Sequence, residues 1–294
     1  MRILISNDDG IQAEGIRSLA LALSEKNEVY VAAPNRQQSA QSHCLSVHTH
    51  LHAEEVDIPG TQKAWSVDGK PADCTKVGLF LMDRLGKPAD LVFAGINHGG
   101  NYGWDTIYSG TIGSATEANF CGRPSVAMSV NSHEPQHGFG KACEYACMVA
   151  DKFREALESC EDPSRPVYSP RSAGMPLHFQ FGDLEKYRYR TLSINVPDLP
   201  AAEIKGLRIA SIGPRDYTEW VSEFTEPDGS KYYEYTGKPM VAEKGKIYEF
   251  DILPEDNDTC LMDEGWATLT VVGHDLTDYS RQKMAEEDFC KMDC

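Results

Sequence analysis

Met1-Arg-Ile-Leu-Ile-Ser-Asn-Asp-Asp-Gly10 reads as a short buried strand that ends in two adjacent carboxylates, Asp8 and Asp9. Like charges side by side repel unless something positive separates them, and ligands of open α/β sheets collect at the carboxyl ends of the strands. A divalent cation is therefore the first reading of the pair. The competing one is a solvated Asx turn, in which Asn7, Asp8 and Asp9 bond their own backbone ahead of Gly10.

Outward from this strand, the first half of the chain alternates strand and helix patterns. Apolar residues at Ile16, Leu19, Ala20 and Leu23 predict a helix over 14–26, followed by a strand over 28–33. Helical patterns over 71–85 and 109–121 alternate with strand patterns over 90–96 and 125–130. This β-α-β rhythm predicts an α/β fold, a mostly parallel sheet flanked by helices. A further helix is expected over 138–160. The stretch 161–190 breaks the rhythm with prolines, charges and aromatics and reads as an irregular insertion. Strand patterns resume at 191–196 and 207–212. Residues 217–235 predict a long aromatic hairpin that turns at Pro227-Asp-Gly-Ser230 and packs either on its own sheet or on a second subunit. The organisation expected is a catalytic core over 1–160, the insertion, and closing strands with a C-terminal extension over 191–294.

Three loops follow strands of the first half and open on one side of a parallel sheet. Asn7 to Gly10 is the first. Pro34 to Ser42, which contains Ser39, is the second. Asn97 to Thr111 is the third. Asn97 offers a neutral carbonyl oxygen, a hard ligand suited to Mg²⁺ or Mn²⁺ beside carboxylates. Ser109-Gly110-Thr111 opens a helix, where N–H groups and hydroxyls suit a phosphate, although Ser109 is equally readable as an ordinary N-cap. His48, His50 and His52 alternate as on a strand face, open to a transition-metal reading or to plain exposure. His98 is the better-placed histidine, next to Asn97. No Walker A or G-x-S-x-G motif is present.

The composition narrows the function classes. The 294 residues are 41% hydrophobic and 25% charged, as in a globular protein. Lys and Arg total 28 against 45 Asp and Glu, a formal charge of −17, which opposes binding to nucleic-acid polymers or anionic membranes. An anionic substrate must then find local positive potential, from a metal or aligned N–H groups. With no signal-peptide pattern and no apolar run of membrane-spanning length, a cytoplasmic location is expected. Nine cysteines, irregularly spaced and without a C-x-x-C pair, read as reduced, mostly buried thiols, with Cys290 and Cys294 exposed in an acidic tail.

Taken in order, five stretches resemble the SurE family of bacterial survival proteins. They are Ile3-Leu-Ile-Ser-Asn-Asp-Asp-Gly-Ile11 with Gly15-Ile16, Ala33-Pro-Asn-Arg-Gln-Gln-Ser39, Gly95-Ile-Asn-His-Gly-Gly-Asn-Tyr-Gly103, Tyr108-Ser-Gly-Thr-Ile-Gly-Ser-Ala-Thr-Glu117 and Leu192-Ser-Ile-Asn-Val-Pro197. The resemblance implies a Rossmann-like fold and metal-dependent 5′/3′-nucleotidase activity on nucleoside monophosphates. It implies that Asp8, Asp9, Ser39 and Asn97 hold one divalent metal, Mg²⁺ or Mn²⁺, and that Asn101, Ser109, Gly110 and Thr111 hold the phosphate. It also implies a homodimer or homotetramer assembled through the C-terminal extension. Residue 40 is Ala where the family usually has Gly, and Trp104, where a small or acidic residue is more usual, is expected to border the pocket.

The chemistry expected is attack on a phosphomonoester by a water that Asp8 or Asp9 deprotonates, with helix N–H groups stabilising the phosphoryl oxygens. An aspartyl-phosphate route is the rival, but it favours Asp-x-Asp rather than contiguous acids. Two other readings are a noncatalytic nucleotide or phosphate sensor, and a phosphatase that also takes aryl phosphates or polyphosphate.

Overall fold

The structure is a computed structural model that describes residues 1–158, 190–215, 217–218, 220–238, 240, 247–248, 251–252 and 256–275. The insertion expected at 161–190, apart from Arg190, and the tail with Cys290 and Cys294 lie outside the described residues. The elements in chain order are β1 (Arg2–Ser6), α1 (Glu14–Ser24), β2 (Glu28–Pro34), β3 (Ala53–Val56), β4 (Lys63–Val67), α2 (Pro71–Arg84) and β5 (Leu91–His98). A 3₁₀ turn (Gly103–Ile107), α3 (Gly110–Phe120), β6 (Ser125–Val130), α4 (Gly140–Glu158), β7 (Arg190–Val196) and β8 (Leu207–Ile209) follow. The last are β9 (Ser222–Thr225), β10 (Lys231–Glu234), β11 (Ile247–Tyr248), β12 (Asp251–Ile252), α5 (Asp258–Asp263) and β13 (Ala267–Gly273).

Nine strands form one sheet in the order β3-β4-β2-β1-β5-β6-β7-β13-β8. Pairings from β4 through β7 are parallel, whereas β3 on β4 and β13 on β7 are antiparallel. From β1 the chain winds outward through β2 to β4, then returns to place β5 on the other side of β1. The gap between the carboxyl ends of β1 and β5 is thus the point where strand order reverses, the ligand crevice of doubly wound sheets.

Both sheet faces are buried because β1, β2, β5 and β6 are apolar on alternate and intervening positions alike. Ile3 and Ile5 pack with Ile16, Leu19 and Leu23 of α1 and with Ala146 and Val149 of α4. Leu4 packs on the opposite face with Cys74, Leu79 and Met82 of α2. Ile3, Leu4, Ile5, Ile16 and Leu19 have no exposed surface, and each such side chain contributes about 1.5–3 kcal/mol by leaving water.

The structure departs from the sequence reading in two places. His48, His50 and His52 lie in an exposed loop ahead of β3, so no strand face aligns them. The edge pair β3 and β4 was not anticipated, since Ala53-Glu-Glu-Val56 is too polar to read as a strand until β4 pairs with it. The aromatic hairpin forms as expected, with β9 and β10 in register from Lys231 opposite Thr225 to Glu234 opposite Ser222. It is a separate two-stranded sheet and does not join the main one. Among the described cysteines, Cys44 is exposed, Cys74, Cys143 and Cys260 are buried, and all are free thiols. No helix among the described residues is long and apolar enough to cross a membrane.

Candidate functional site

The turn after β1 divides its three polar residues between two roles. Asn7 forms the Asx turn alone, donating from Nδ2 to the Gly10 carbonyl at 2.9 Å and accepting from the Gly10 N–H at 3.2 Å. Both carboxylates are thereby released to point elsewhere. Asp8 turns to the start of α3, where the Thr111 hydroxyl donates to its Oδ1 at 2.6 Å. Asp9 turns to the end of β5, where the His98 N–H donates to its Oδ2 at 2.9 Å.

A register shift in β5 opposite β6, between Ala94 and Asn97, brings the Asn97 end of the strand into line with this turn. It passes through Gly95 at φ +132°, where a Cβ would stand 2.3 Å from the Met128 carbonyl oxygen. Asn97 Nδ2 donates to the Gly99 carbonyl at 2.7 Å, so its Oδ1 is left without a protein donor. Gly110 serves a different need. A Cβ there would lie 2.9 Å from Asp8 Oδ2 and 3.0 Å from Asp8 Cβ, so only glycine lets the first turn of α3 close on the carboxylate.

Burial pushes the Asp8 carboxyl up to about 7, and the neighbouring Asp9 adds to the effect while the Thr111 hydroxyl and N–H oppose it. Burial raises Asp9 as well, against the His98 N–H and the His98 and His133 imidazoles. Two acids held in such a place are short of positive charge, and the donors around them are hard oxygens: Asp8, Asp9, Asn97 Oδ1 and the Ser39 hydroxyl. That set suits Mg²⁺ or Mn²⁺, which bind through one or two carboxylates and complete their shells with water or substrate oxygens. No group of three or more His, Cys, Asp or Glu able to hold a metal occurs among the described residues.

Asp8, Ser39, Asn97, Asn101 and Ser109 line one cavity of 440 Å³, a volume typical of small-molecule sites. Ser109 is the N-cap of α3, its Oγ accepting from the Ile112 N–H at 3.0 Å, which leaves its O–H for the cavity. Asn101 is held by β6 and β7: its N–H donates to Asn195 Oδ1 and its Nδ2 to Ser129 Oγ, both at 2.8 Å. Thr111 is fully buried with its hydroxyl on Asp8, so it positions the carboxylate and does not line the cavity. Asp9 is half-buried beside the cavity and is not among its lining residues. Trp104 is exposed and outside the cavity wall, whose aromatic members are Tyr108 and Tyr217.

Ser39 lies on a loop pinned at several points. The Gln38 N–H donates to the Asp8 carbonyl at 2.7 Å, and the Ser42 N–H to the Tyr108 carbonyl at 2.9 Å. Beyond them, His43 Nε2 sits 2.7 Å from Glu117 Oε2, whose other oxygen meets Lys76 Nζ at 2.6 Å. Ala40 adopts φ +55°, a left-handed conformation that explains why glycine suits this position better.

Sequence reasoning missed four further lining residues, Asp105, His133, Arg215 and Tyr217; His133 lies beside His98, its Nδ1 3.2 Å from the His98 carbonyl oxygen, and the other three contact one another. Arg215 and Tyr217 follow β8, beyond the β-α-β rhythm, and no motif marks them. His98 was singled out by position, and the structure places it on the lining with its Nε2 buried and without a hydrogen-bond partner. Its ring packs against Phe139 with the planes tilted by 40° and the centroids 4.9 Å apart.

Acids, an amide oxygen and a helix start gathered at the switch point of a doubly wound sheet define a class: open α/β proteins whose ligand crevice lies at the carboxyl ends of the strands. Comparison with known proteins narrows it. A family model described as Survival protein SurE matches residues 3–219. The 5′-nucleotidase SurE of Pelotomaculum thermopropionicum is 35% identical over 280 residues, covering 95% of this chain and 92% of that relative. The 5′-nucleotidase SurE of Carboxydothermus hydrogenoformans is 36% identical over 282 residues, covering 95% and 92%. The crystal structure of SurE protein from Aquifex aeolicus superposes with a TM-score of 0.72 at 28% identity, over 98% of this chain and 99% of that one. The chain belongs to the SurE family.

Proposed function

We propose that this chain is a nucleotidase that hydrolyses nucleoside 5′- and/or 3′-monophosphates to nucleoside and phosphate with the help of one divalent cation. The observation that carries the reading is the convergence of Asp8, Asn97, Ser39 and the start of α3 on one cavity at the sheet's switch point. The names of its relatives, 5′-nucleotidases, agree with it. Mg²⁺ or Mn²⁺, when bound, supplies neutralisation of the phosphoryl oxygens and acidifies a water nucleophile.

The chain's own residues do the remainder. Thr111 and the His98 N–H fix one oxygen of each aspartate, which orients the free oxygens toward the cation site. Asp8 or Asp9 accepts the proton of the attacking water. The Ser109 O–H and the side chain of Asn101 face the phosphate, and N–H groups at the start of α3 contribute positive potential to that end of the cavity. Chain topology supports treating 1–160 as the catalytic core and 191–294 as closing strands with an assembly extension. The exposed aromatic hairpin, with Phe224 stacked on Tyr232 at 5.3 Å, supports homodimer or homotetramer formation through it. A cytoplasmic protein is the setting that the free thiols favour.

The test is release of inorganic phosphate from a panel of 5′ and 3′ nucleoside monophosphates with Mg²⁺ or Mn²⁺, and again after EDTA. Metal-dependent turnover that disappears on chelation is expected. No turnover on any member of the panel refutes the nucleotidase reading and leaves the phosphate-sensor alternative.

A further inference from the structure

The cavity lining holds one acid and one cation, Asp105 and Arg215, whose hydrogen-bonding capacity is only partly spent among the described residues. Asp105 Oδ2 accepts from the Tyr217 hydroxyl and lies 3.0 Å from Arg215 Nη1. Its Oδ1 has no protein donor among the described residues. The Arg215 guanidinium carbon sits 4.1 Å from the centre of the Tyr102 ring, which fixes the plane of the fork. Nη1 is buried yet not aligned to donate to Asp105, and no other nitrogen of the group has a hydrogen-bond acceptor among the described residues. Among the described residues, Arg215 is also the only Lys or Arg on the cavity lining.

Charge decides what such a pair recognises. Asp105 offsets the guanidinium at contact, and the buried Asp258, held by the Gly103 and Gly213 N–H groups at 3.0 and 2.8 Å, lies behind it. A second phosphate would meet more negative than positive charge there. A neutral group that donates and accepts at once is the complement of a carboxylate beside a guanidinium that makes no aligned hydrogen bond among the described residues, and the vicinal hydroxyls of a sugar have that character. Position agrees. Asp105 is on the 3₁₀ turn that runs directly into the Ser109 cap, so the pair flanks the phosphate end, where the ribose of a nucleotide must lie.

We propose that Asp105 and Arg215 form a ribose-reading pair that selects nucleotides carrying a 2′-hydroxyl. The proposal rests on the nucleotidase reading of the cavity and names what that site takes. A site built to hydrogen-bond a hydroxyl discriminates against the analogue lacking it, because its own polar groups are then left unpaired.

The experiment compares AMP with 2′-deoxy-AMP as substrates at saturating Mn²⁺, and adenosine with 2′-deoxyadenosine as ligands by calorimetry, in the full-length protein. The expected preference for the ribo form is about tenfold in kcat/KM and in Kd. Asp105→Asn and Arg215→Lys should each bring both ratios toward one. A purely structural role for the pair would lower activity on both substrates equally and leave the ratios as in wild type, which overturns the proposal. Equal kcat/KM or equal Kd for the ribo and deoxy forms in the wild type overturns it too, while leaving the nucleotidase reading intact. Absence of turnover on either nucleotide refutes the nucleotidase reading, and the nucleoside Kd ratio then decides the ribose pair by itself.

Discussion

Replacing Asp8 by Asn should stabilise the cation-free protein at alkaline pH while abolishing its function. The Asp8 carboxyl is raised from 3.8 to about 7 by burial first and by Asp9 second. That shift of about 3 units, at 1.36 kcal/mol each, means the folded state disfavours the ionised form by at most about 4 kcal/mol. A folded value above the unfolded one means the native protein binds a proton that the unfolded chain releases. The contribution is therefore fully present below pH 3.8, declines as pH rises toward about 7, and is absent above it. Asn keeps an oxygen for the Thr111 hydroxyl and never ionises. In EDTA the variant should match wild type near the acid end and exceed it at about pH 8 by roughly 2–4 kcal/mol, a Tm rise of roughly 4–8 °C for a chain of this size. Mn²⁺ should raise the Tm of the wild type at that pH and leave the variant unmoved. Thermal denaturation across the pH range reads both effects. A variant whose advantage is the same at acid and alkaline pH, or which Mn²⁺ stabilises as much as wild type, would refute the argument that Asp8 is a charge awaiting a cation.

Thr111→Val removes the donor to Asp8 and leaves a buried oxygen unpaired; a hydrogen bond to a charged group is worth about 1.5–3 kcal/mol, so Mn²⁺ binding at neutral pH should weaken roughly 10- to 100-fold. Thr111→Ser should recover it, and unchanged affinity in the valine variant would show that the contact is idle. Glu117 presents a second case with the opposite sign. Burial tends to raise its carboxyl, but hydrogen bonds from His43 and Lys76 outweigh that and hold it below 4.5. Stability from this group is present above the unfolded value and is lost as pH falls through the lower folded one. Glu117→Gln should thus lose about 1–3 kcal/mol at neutral pH and progressively less as the pH falls below 4.5 in denaturant titrations. Equal losses at neutral and acid pH would assign the effect to packing instead of charge.

Much of the fold was legible because its determinants are local. Ile3, Leu4 and Ile5 form an unbroken apolar run, as a strand buried on both faces must, and the spacing of Ile16, Leu19 and Leu23 turns only in a helix. Element positions followed, and so did the side of the sheet on which Asp8, Ser39 and Asn97 emerge. The edge strand β3 was not legible, because Glu54 and Glu55 become strand residues only through pairing with Ser66 and Trp65.

For the site, the sequence by itself determined the inventory: two contiguous acids after β1, a serine and an asparagine after two further strands, and a Ser-Gly-Thr helix start. These follow from residue type and chain order. Only the tertiary structure decided the division of labour. Asn7 alone closes the turn, Thr111 faces Asp8 and not the cavity, and Asp9 accepts from the His98 N–H. It also decided that Asp105 meets Arg215 across 110 residues of chain, an encounter no local pattern encodes, because side-chain direction at a shared cavity depends on how distant elements pack.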